Sequence, residues 1–415
     1  MLDSLEINGK SIKFDPETNF WGVGGEEIEE LYSKIRKDLI KEMNELRFER
    51  NLVLLYVNPT DACNAGCPYC YIPPSVKSRR KKMSYDELAY IAEKAIEFLG
   101  NSVVVFHGTE PLLNKDNIFR IIEDYSDKLN FGIQTNGLLL EEEDVEFIKK
   151  LEVNVGLSLD SPHKETNDFL RGKGSFDKIS ELLELFDNYS GLNVVTTITK
   201  YNQNHLKDMV DFLSGKVSLC LMNPVRATQK EAIDFRPDPK EAAVNFIEAV
   251  ERAIELTKSG KRIVVADFAN VLLGLVAPSA KVLMCDISPC GGGRRFFSIT
   301  ADGSCYPCGE FIGTEFCGGN IFRDDFEKII NSKAFAAVTK RKVEDIPECR
   351  DCVFRNLCGA PCPAEILSTD GTMYAKSYYC EFYKEIAKHT FRVILRDDVW
   401  FVLKKDSLTE KYRVR

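Results

Sequence analysis

The sequence predicts an α/β fold in which six parallel β-strands alternate with helices. Three observations predict it: the size of the chain, a repeated strand–helix alternation, and unusual residues directly after the strands. The 415 residues give room for two or three domains, and shares of 44% hydrophobic and 29% charged residues are typical of a globular protein. The net charge of -9 argues against nucleic acid as a ligand.

The N-terminal extension, residues 1–48, combines a predicted hairpin with a predicted helix. Residues 5–14 flank an Asn-Gly turn, and a charged helical stretch follows from about Glu26 to Arg47. The first residues lack the basic and apolar segments of a signal peptide, and the most apolar runs are shorter than the ~20 residues of a membrane span. We therefore expect a cytoplasmic protein that has no membrane contact.

Six apolar runs, each followed by an amphipathic helical stretch, occupy the next two hundred residues. The runs are VLLYVNPT, VVVFHG, FGIQTNG, VNVGLSLD, NVVTTITK and VSLCLMNP, and the predicted helices cover 84–99, 115–128, 141–150, 176–188, 204–214 and 239–258. Such repeats indicate parallel strands joined by right-handed crossovers. Ligands of these folds collect beyond the carboxyl ends of the strands, where the loops NPTDACNAGCPYC, HGTEP, QTNG, SLDS and MNPVR lie.

The alternation ends at about residue 281, where a segment rich in Cys and Gly begins and runs to Cys380. The run FRVILRDDVWFVLKK, within 391–415, predicts a short strand pair. We expect a core domain over 49–275, a Cys-rich domain over 276–385 and a tail over 386–415. The Cys-rich domain is expected to be held together by metal rather than by a large apolar core.

Cys63, Cys67 and Cys70 are separated by three and two residues, so one loop can wrap three thiolates around one corner of a cubane cluster. Structural zinc sites and closed four-iron clusters use four protein ligands. Three ligands leave one iron open for a substrate or cofactor. The alternatives are a zinc site with a distant fourth ligand, or three incidental thiols.

The run CNAGCPYCY resembles the signature loop of the radical S-adenosylmethionine (SAM) enzymes. The resemblance implies that Cys63, Cys67 and Cys70 are catalytic and bind a [4Fe-4S] cluster whose open iron binds SAM. A 5′-deoxyadenosyl radical then abstracts hydrogen from the substrate. It also implies a partial (β/α)6 radical SAM barrel, and a reducing electron donor such as a flavodoxin or ferredoxin.

Further residues at the strand ends match the same family. Gly108-Thr109-Glu110-Pro111 is similar to its Gly-Gly-Glu-Pro turn, which holds the SAM ammonium group, although Thr replaces the second Gly. Tyr69 occupies the aromatic position beside adenine. The resemblance places the remaining SAM-site residues at Thr135, Asn136, Ser158, Asp160 and Arg171.

The second cysteine group resembles the SPASM extension of radical SAM enzymes, which binds auxiliary clusters. By this resemblance one auxiliary cluster uses Cys349, Cys352, Cys358 and Cys380, and the other uses Cys290, Cys308, Cys362 and Cys285. Cys305 could replace Cys285, or that cluster could keep an open iron. A zinc ribbon is the alternative for the whole group. Cys220 is expected to be a core residue, and Cys305 and Cys317 are candidates for a ligand or a reactive thiol.

SPASM enzymes mostly act on peptides, so the resemblance implies a ribosomally made peptide substrate. The best match is to maturases that form thioether cross-links from Cys, as in sactipeptides and ranthipeptides. More distantly, the chain is similar to anaerobic sulfatase maturases, which oxidise Cys or Ser to formylglycine with an Asp at the position of Gly309; Glu310 follows here. The 48-residue extension is short for a complete leader-binding domain. An iron–sulfur electron carrier would need no SAM site.

Overall fold

The computed structural model describes residues 2–100, 102–282, 284–405 and Leu408. The chain opens with β1 (Asp3–Ile7), β2 (Lys10–Phe14), β3 (Trp21–Val23) and α1 (Glu26–Phe48). The predicted hairpin and helix are confirmed, since β1 pairs with β2 and the turn residues Asn8 and Gly9 both have positive φ. The third strand was not predicted, because three residues are too few to show an alternation.

The six predicted strand–helix repeats are confirmed. The strands are β4 (Leu54–Val57), β5 (Val103–Phe106), β6 (Asn130–Thr135), β7 (Asn154–Ser158), β8 (Leu192–Ile198) and β9 (Leu219–Pro224). The helices are α2 (Pro74–Lys77), α3 (Tyr85–Leu99), α4 (Lys115–Tyr125), α5 (Glu142–Lys150), α6 (Lys164–Arg171), α7 (Ser175–Phe186), α8 (Leu206–Leu213) and α9 (Pro239–Lys258). Neighbouring strands from β4 to β9 pair in parallel, so their carboxyl ends share one edge of the sheet.

Local sequence explains where these helices begin. Ser84 and Glu87 form a reciprocal capping box at the start of α3, and Asp238 accepts two backbone N–H groups ahead of Pro239 in α9. The helices bury one apolar face against strands that are themselves buried on both sides. This packing fixes the strand-end loops at one rim of the barrel.

The sheet continues into the Cys-rich segment. β10 (Val264–Val265) and α10 (Ala266–Val276) precede this segment. The elements within it are β11 (Phe296–Ile299), β12 (Ser304–Tyr306), β13 (Gly319–Asn320), α11 (Phe326–Ile330), α12 (Lys333–Thr339), α13 (Arg355–Cys358) and α14 (Pro363–Asp370). β11 pairs in parallel with β4, and the sheet order is β10-β9-β8-β7-β6-β5-β4-β11-β12-β13. Phe297 and Phe335 belong to the main apolar core, so this segment shares that core. The expectation that metal, rather than a large apolar core, holds the segment together is therefore wrong, because its β11 extends the barrel sheet and packs with it. The division into 49–275 and 276–385 stays a prediction.

The predicted strand pair in the tail is wrong. Residues 391–395 complete α15 (Cys380–Leu395), and α16 (Val399–Val402) follows. The apolar run continues a helix that begins at Cys380 and buries Phe382, Ile386 and Phe391, so helical spacing prevails over the β-branched composition. Residues 406, 407 and 409–415 of that prediction lie outside the described residues. In the described part of the chain, no helix has the length and apolarity needed to cross a membrane.

Candidate radical SAM and iron–sulfur site

The first cysteine group lies on the loop after β4. The Cys70 N–H donates to the Cys67 carbonyl at 3.2 Å, and the Ala65 N–H points at the Cys63 sulfur at 3.4 Å. The three thiols are close enough for their charges to interact. Burial raises the pKa of Cys63 to about 11, so a metal must displace the thiol proton on binding.

Glu110 stands beside this loop as a buried carboxylate. Its Oε1 accepts hydrogen bonds from Thr135 Oγ1 at 2.7 Å and from the Leu112 N–H at 3.0 Å, and its Oε2 accepts one from the Asn136 N–H at 2.9 Å. Burial raises the pKa of Glu110, and these three donors oppose the rise. The charge of Glu110 also acts on Cys63. The predicted residues Glu110, Thr135 and Asn136 therefore form one connected group at the first cysteine loop.

The turn that carries Glu110 is tightly packed. Gly108 has a φ of 111°, and a Cβ there would lie 2.1 Å from Oδ1 of Asn58. Glycine is thus the residue that fits. Thr109 donates its hydroxyl to the Thr60 carbonyl, so the Thr in place of the second family Gly fastens the turn to the cysteine loop. Pro111 is buried and starts a short turn of 3-10 helix.

Asp160 is the second buried carboxylate of the site. Arg171 donates to both of its oxygens, at 2.7 and 2.9 Å, and the Tyr69 hydroxyl donates to Oδ2. The Arg171 Nη1 lies 4.0 Å from the Cys67 sulfur. The predicted residues Tyr69, Asp160 and Arg171 therefore form a buried network that contacts the cysteine loop. Ser158 ends β7 at the same rim and is half-buried.

The second cysteine group divides into three sets of mutually interacting thiols. One set contains Cys285, Cys290, Cys308 and Cys362, a second contains Cys349, Cys352, Cys358 and Cys380, and Cys305 interacts with Cys317. The geometry thus brings Cys285, not Cys305, to the other members of the first set. Cys220 is fully buried in β9, which confirms it as a core residue.

No three His, Cys, Asp or Glu side chains among the described residues converge tightly enough to hold a single metal ion. Thiolates around a four-iron cubane stand farther apart than the ligands of one ion, because four irons and four sulfides lie between them. The cysteine sets have the ligand numbers that such clusters take: three for an open cluster, and four for each closed one.

Two family models match the chain. Residues 57–213 match the Radical SAM superfamily, and residues 290–353 match SPASM, an iron-sulfur cluster-binding domain. The chain is a radical SAM enzyme with a SPASM domain. Its fold class, a partial radical SAM barrel followed by the SPASM segment, is as the sequence predicts.

Relatives of this radical SAM enzyme cover nearly all of it. An uncharacterised protein of Archaeoglobus fulgidus is 53% identical over 100% of this chain and 99% of that protein. The cysteine-type anaerobic sulfatase-maturating enzyme of Clostridium perfringens is 25% identical over 82% of this chain and 96% of its own length. The solved structure of native anSMEcpe with bound AdoMet and Cp18Cys peptide has a TM-score of 0.70 at 21% identity, and covers 83% of this chain and 98% of that one.

The cofactors of this enzyme are therefore [4Fe-4S] clusters and SAM. The residues present fit them. The Asn58 side chain is buried against Gly108, and neither its Nδ2 nor its Oδ1 has a hydrogen-bond partner among the described residues. Buried amides are normally bonded, so an unpaired one at the predicted SAM turn suits a site that takes a polar ligand. The individual ligand assignments stay predictions.

Two residues of the rim, Tyr71 and His107, were not singled out from the sequence. The Tyr71 hydroxyl lies 3.3 Å from Nδ1 of His107, and burial lowers the pKa of His107 to about 4, so the imidazole is neutral. Glu310 has an Oε2 that is shielded from solvent and lacks a partner within the described chain, and burial raises the pKa of Glu310 to about 7. Only its position next to Cys70 could have drawn attention to Tyr71, whereas Glu310 was noted in the sequence as the acidic residue that follows Gly309.

Proposed function

We propose that this radical SAM enzyme oxidatively matures a ribosomally made peptide and forms a thioether cross-link from one of its Cys residues. A core over 49–275 generates the radical, and the SPASM segment over 276–385 serves the oxidation. An external reductant such as a flavodoxin or ferredoxin supplies the electron that starts each cycle.

One observation carries this proposal: the two cysteine groups meet around Tyr71. Tyr71 follows Cys70 directly, and its charge environment includes Cys70, Cys308 and Glu310. A Cβ on Gly309 would lie 3.5 Å from the Tyr71 hydroxyl. A substrate residue seated beside Tyr71 is therefore within reach of both the SAM-binding loop and an auxiliary-cluster cysteine, as coupled hydrogen abstraction and electron removal require.

The reaction balances without an added oxidant beyond the enzyme's own cofactors. When bound, SAM would take the hydrogen atom of the C–H bond, because the reductant's electron splits SAM into methionine and a 5′-deoxyadenosyl group that ends as 5′-deoxyadenosine. An auxiliary cluster would take the one further electron that the peptide loses. The thiol hydrogen leaves as a proton, and the C–S bond forms. The chain's own residues would hold the reactants: Glu110 would bind the SAM ammonium group, and the Asp160–Arg171 pair fixes Tyr69 and the cysteine loop.

A row of aromatic rings that leads from the buried Tyr69 to the surface supports a peptide-sized substrate. The row runs from Tyr69 through Phe235 and Tyr201 to Phe169, with ring centroids 6.1, 5.4 and 5.0 Å apart. Tyr201 and Phe169 are 44% and 56% exposed. Aromatic rings supply contact area at low entropic cost, so residues of the peptide that flank the modified position can lie along the row.

The second candidate function is oxidation of a Cys or Ser to formylglycine. Two observations favour it: the 25% identity to the Clostridium perfringens sulfatase-maturating enzyme, and the Glu310 carboxyl near Tyr71, whose Oε2 has no hydrogen-bond partner among the described residues. Gly309 counts against it, because it stands where those maturases place their Asp. Oxidation of Cys to formylglycine replaces sulfur by oxygen, whereas oxidation of Ser removes two hydrogens as a thioether cross-link does. Alkylation of free thiols separates these two, because a cross-linked Cys is no longer alkylated.

Anaerobic co-expression with the peptide encoded by the nearest small reading frame tests the proposal. The peptide is weighed by mass spectrometry, with the Cys63→Ala variant as the inactive control. Loss of two hydrogens together with the loss of one alkylatable thiol is the expected result. Replacement of sulfur by oxygen, or loss of two hydrogens with every thiol still alkylated, would establish the formylglycine function instead. An unmodified peptide, together with active cleavage of SAM to 5′-deoxyadenosine, would show that the peptide assignment is wrong.

A further inference from the structure

Arg341 is a fully buried arginine, at 1% exposure, in the midst of the second cysteine group. Its guanidinium donates to three carbonyl oxygens: Met373 at 2.7 Å, Ala360 at 3.0 Å and Gly359 at 3.2 Å. Within the described residues no carboxylate lies in ion-pair distance of it. Arginine keeps its charge in proteins, so this is a buried cation that lacks an acidic side-chain partner.

Cysteine thiols are the groups around Arg341 that can balance its charge in place of a carboxylate. Its charge interacts with the thiols of Cys290 and Cys362, from one predicted cluster, and of Cys349, from the other. Two of its carbonyl partners, Gly359 and Ala360, form the link between Cys358 and Cys362, which belong to different predicted clusters. Arg341 therefore stands between the two sets of thiols and holds the chain that joins them.

A second buried arginine makes a useful contrast. Arg294 is also 1% exposed and donates to carbonyls, among them Pro289 at 3.0 Å and Leu46 at 2.9 Å. Its charge interacts with Cys290, from the first predicted cluster. The two arginines thus differ in how many thiol sets they face.

We propose that Arg341 is the shared counter-cation of the two auxiliary clusters and sets the reduction potentials of both, while Arg294 acts on the Cys290 cluster. A cluster held by four thiolates carries net negative charge, and reduction adds more. A fixed cation nearby favours the reduced form and raises the potential. Arg341 acts through the clusters, so it is a positioning residue and not a catalytic one.

The test uses full-length protein with Cys63, Cys67 and Cys70 changed to Ala, so that signals of the SAM-binding cluster are absent. Iron and acid-labile sulfide per chain are measured, and both auxiliary clusters are titrated potentiometrically with detection by electron paramagnetic resonance. In this background, Arg341→Gln, Arg341→Lys and Arg294→Gln are compared, and Arg350→Gln is the exposed control beside Cys349.

Arg341→Gln is expected to move both reduction potentials to more negative values at unchanged iron content. Arg341→Lys keeps the charge, so most of that shift should be absent and its potentials should lie near those of the parent. Arg294→Gln is expected to move one potential, and Arg350→Gln neither, since solvent screens an exposed charge. Unchanged potentials in Arg341→Gln at full iron would overturn the proposal. If Arg341→Gln loses iron, the Arg341→Lys variant decides the question. Full iron content in Arg341→Lys, with potentials near those of the parent, supports the proposal. Loss of iron in Arg341→Lys as well refutes it.

Discussion

Replacing Glu110 by Gln removes one negative charge from the predicted SAM site at nearly constant size. The carboxylate accepts three hydrogen bonds at 2.7 to 3.0 Å, two on Oε1 and one on Oε2. An amide has a single acceptor oxygen, so its NH2 group must face at least one donor. Leaving one buried donor unpaired costs about 1–3 kcal/mol of folding stability.

The lost charge acts on SAM itself. A hydrogen bond between two charged groups contributes about 1.5–3 kcal/mol, which corresponds to a roughly 10- to 100-fold weaker affinity for the SAM ammonium group. Isothermal titration of SAM into anaerobically reconstituted protein measures this at matched iron content. Glu143→Gln, an exposed change on α5, is the control and should bind SAM normally. Unchanged SAM affinity in Glu110→Gln would reduce Glu110 to a turn-stabilising residue and refute the assignment.

Three further predictions follow from the structure. Asp160→Asn leaves Arg171 buried without its counter-charge. The free energy of unfolding, measured in urea, should therefore fall by about 3–5 kcal/mol, and SAM cleavage should stop. Near-normal stability would contradict this prediction. Cys352→Ala should retain uncoupled 5′-deoxyadenosine formation but give no product in the peptide assay, and full turnover would contradict the role of the auxiliary cluster. Burial opposes ionisation of Glu251, but the contacts of its carboxylate with His389 at 2.9 Å and with Arg396 at 2.7 Å lower its pKa to about 2. Its stabilisation, about 1 kcal/mol, should therefore be present above pH 4.5 and disappear towards pH 2, so urea midpoints of Glu251→Gln and the parent should converge in acid.

Most of the barrel could be predicted because its signals are local. Each strand from β4 to β9 is a short apolar run, and each following helix has its own amphipathic face and often its own cap, as Ser84 and Asp238 illustrate. The tail failed for the same reason: FRVIL has the composition of a strand, but its conformation is decided by the helix that begins at Cys380. The parallel pairing of β11 with β4 joins segments about 240 residues apart along the chain, and no local pattern encodes it.

The candidate site divides in a similar way. Cysteine spacing is a local property, and the thiol sets of the structure have the same members as the predicted clusters. Strand-end residues such as Glu110 and Asp160 could be predicted because the topology brings all carboxyl ends to one rim. Arg341 and Asn58 could not be predicted, because each is marked by a partner that it lacks after folding. Arg341 has no carboxylate, and the Asn58 side chain has no hydrogen-bond partner, among the described residues. Such a property exists only in three dimensions.

The most direct test of the central claim follows hydrogen from the peptide into the cofactor product. The peptide that co-expression identifies is prepared with deuterium on its carbon-bound positions and incubated anaerobically with reconstituted enzyme, SAM and reductant. The 5′-deoxyadenosine is then weighed by mass spectrometry. We predict one deuterium in 5′-deoxyadenosine, formed in step with modified peptide. Unlabelled 5′-deoxyadenosine alongside modified peptide would contradict radical maturation of the peptide by this enzyme.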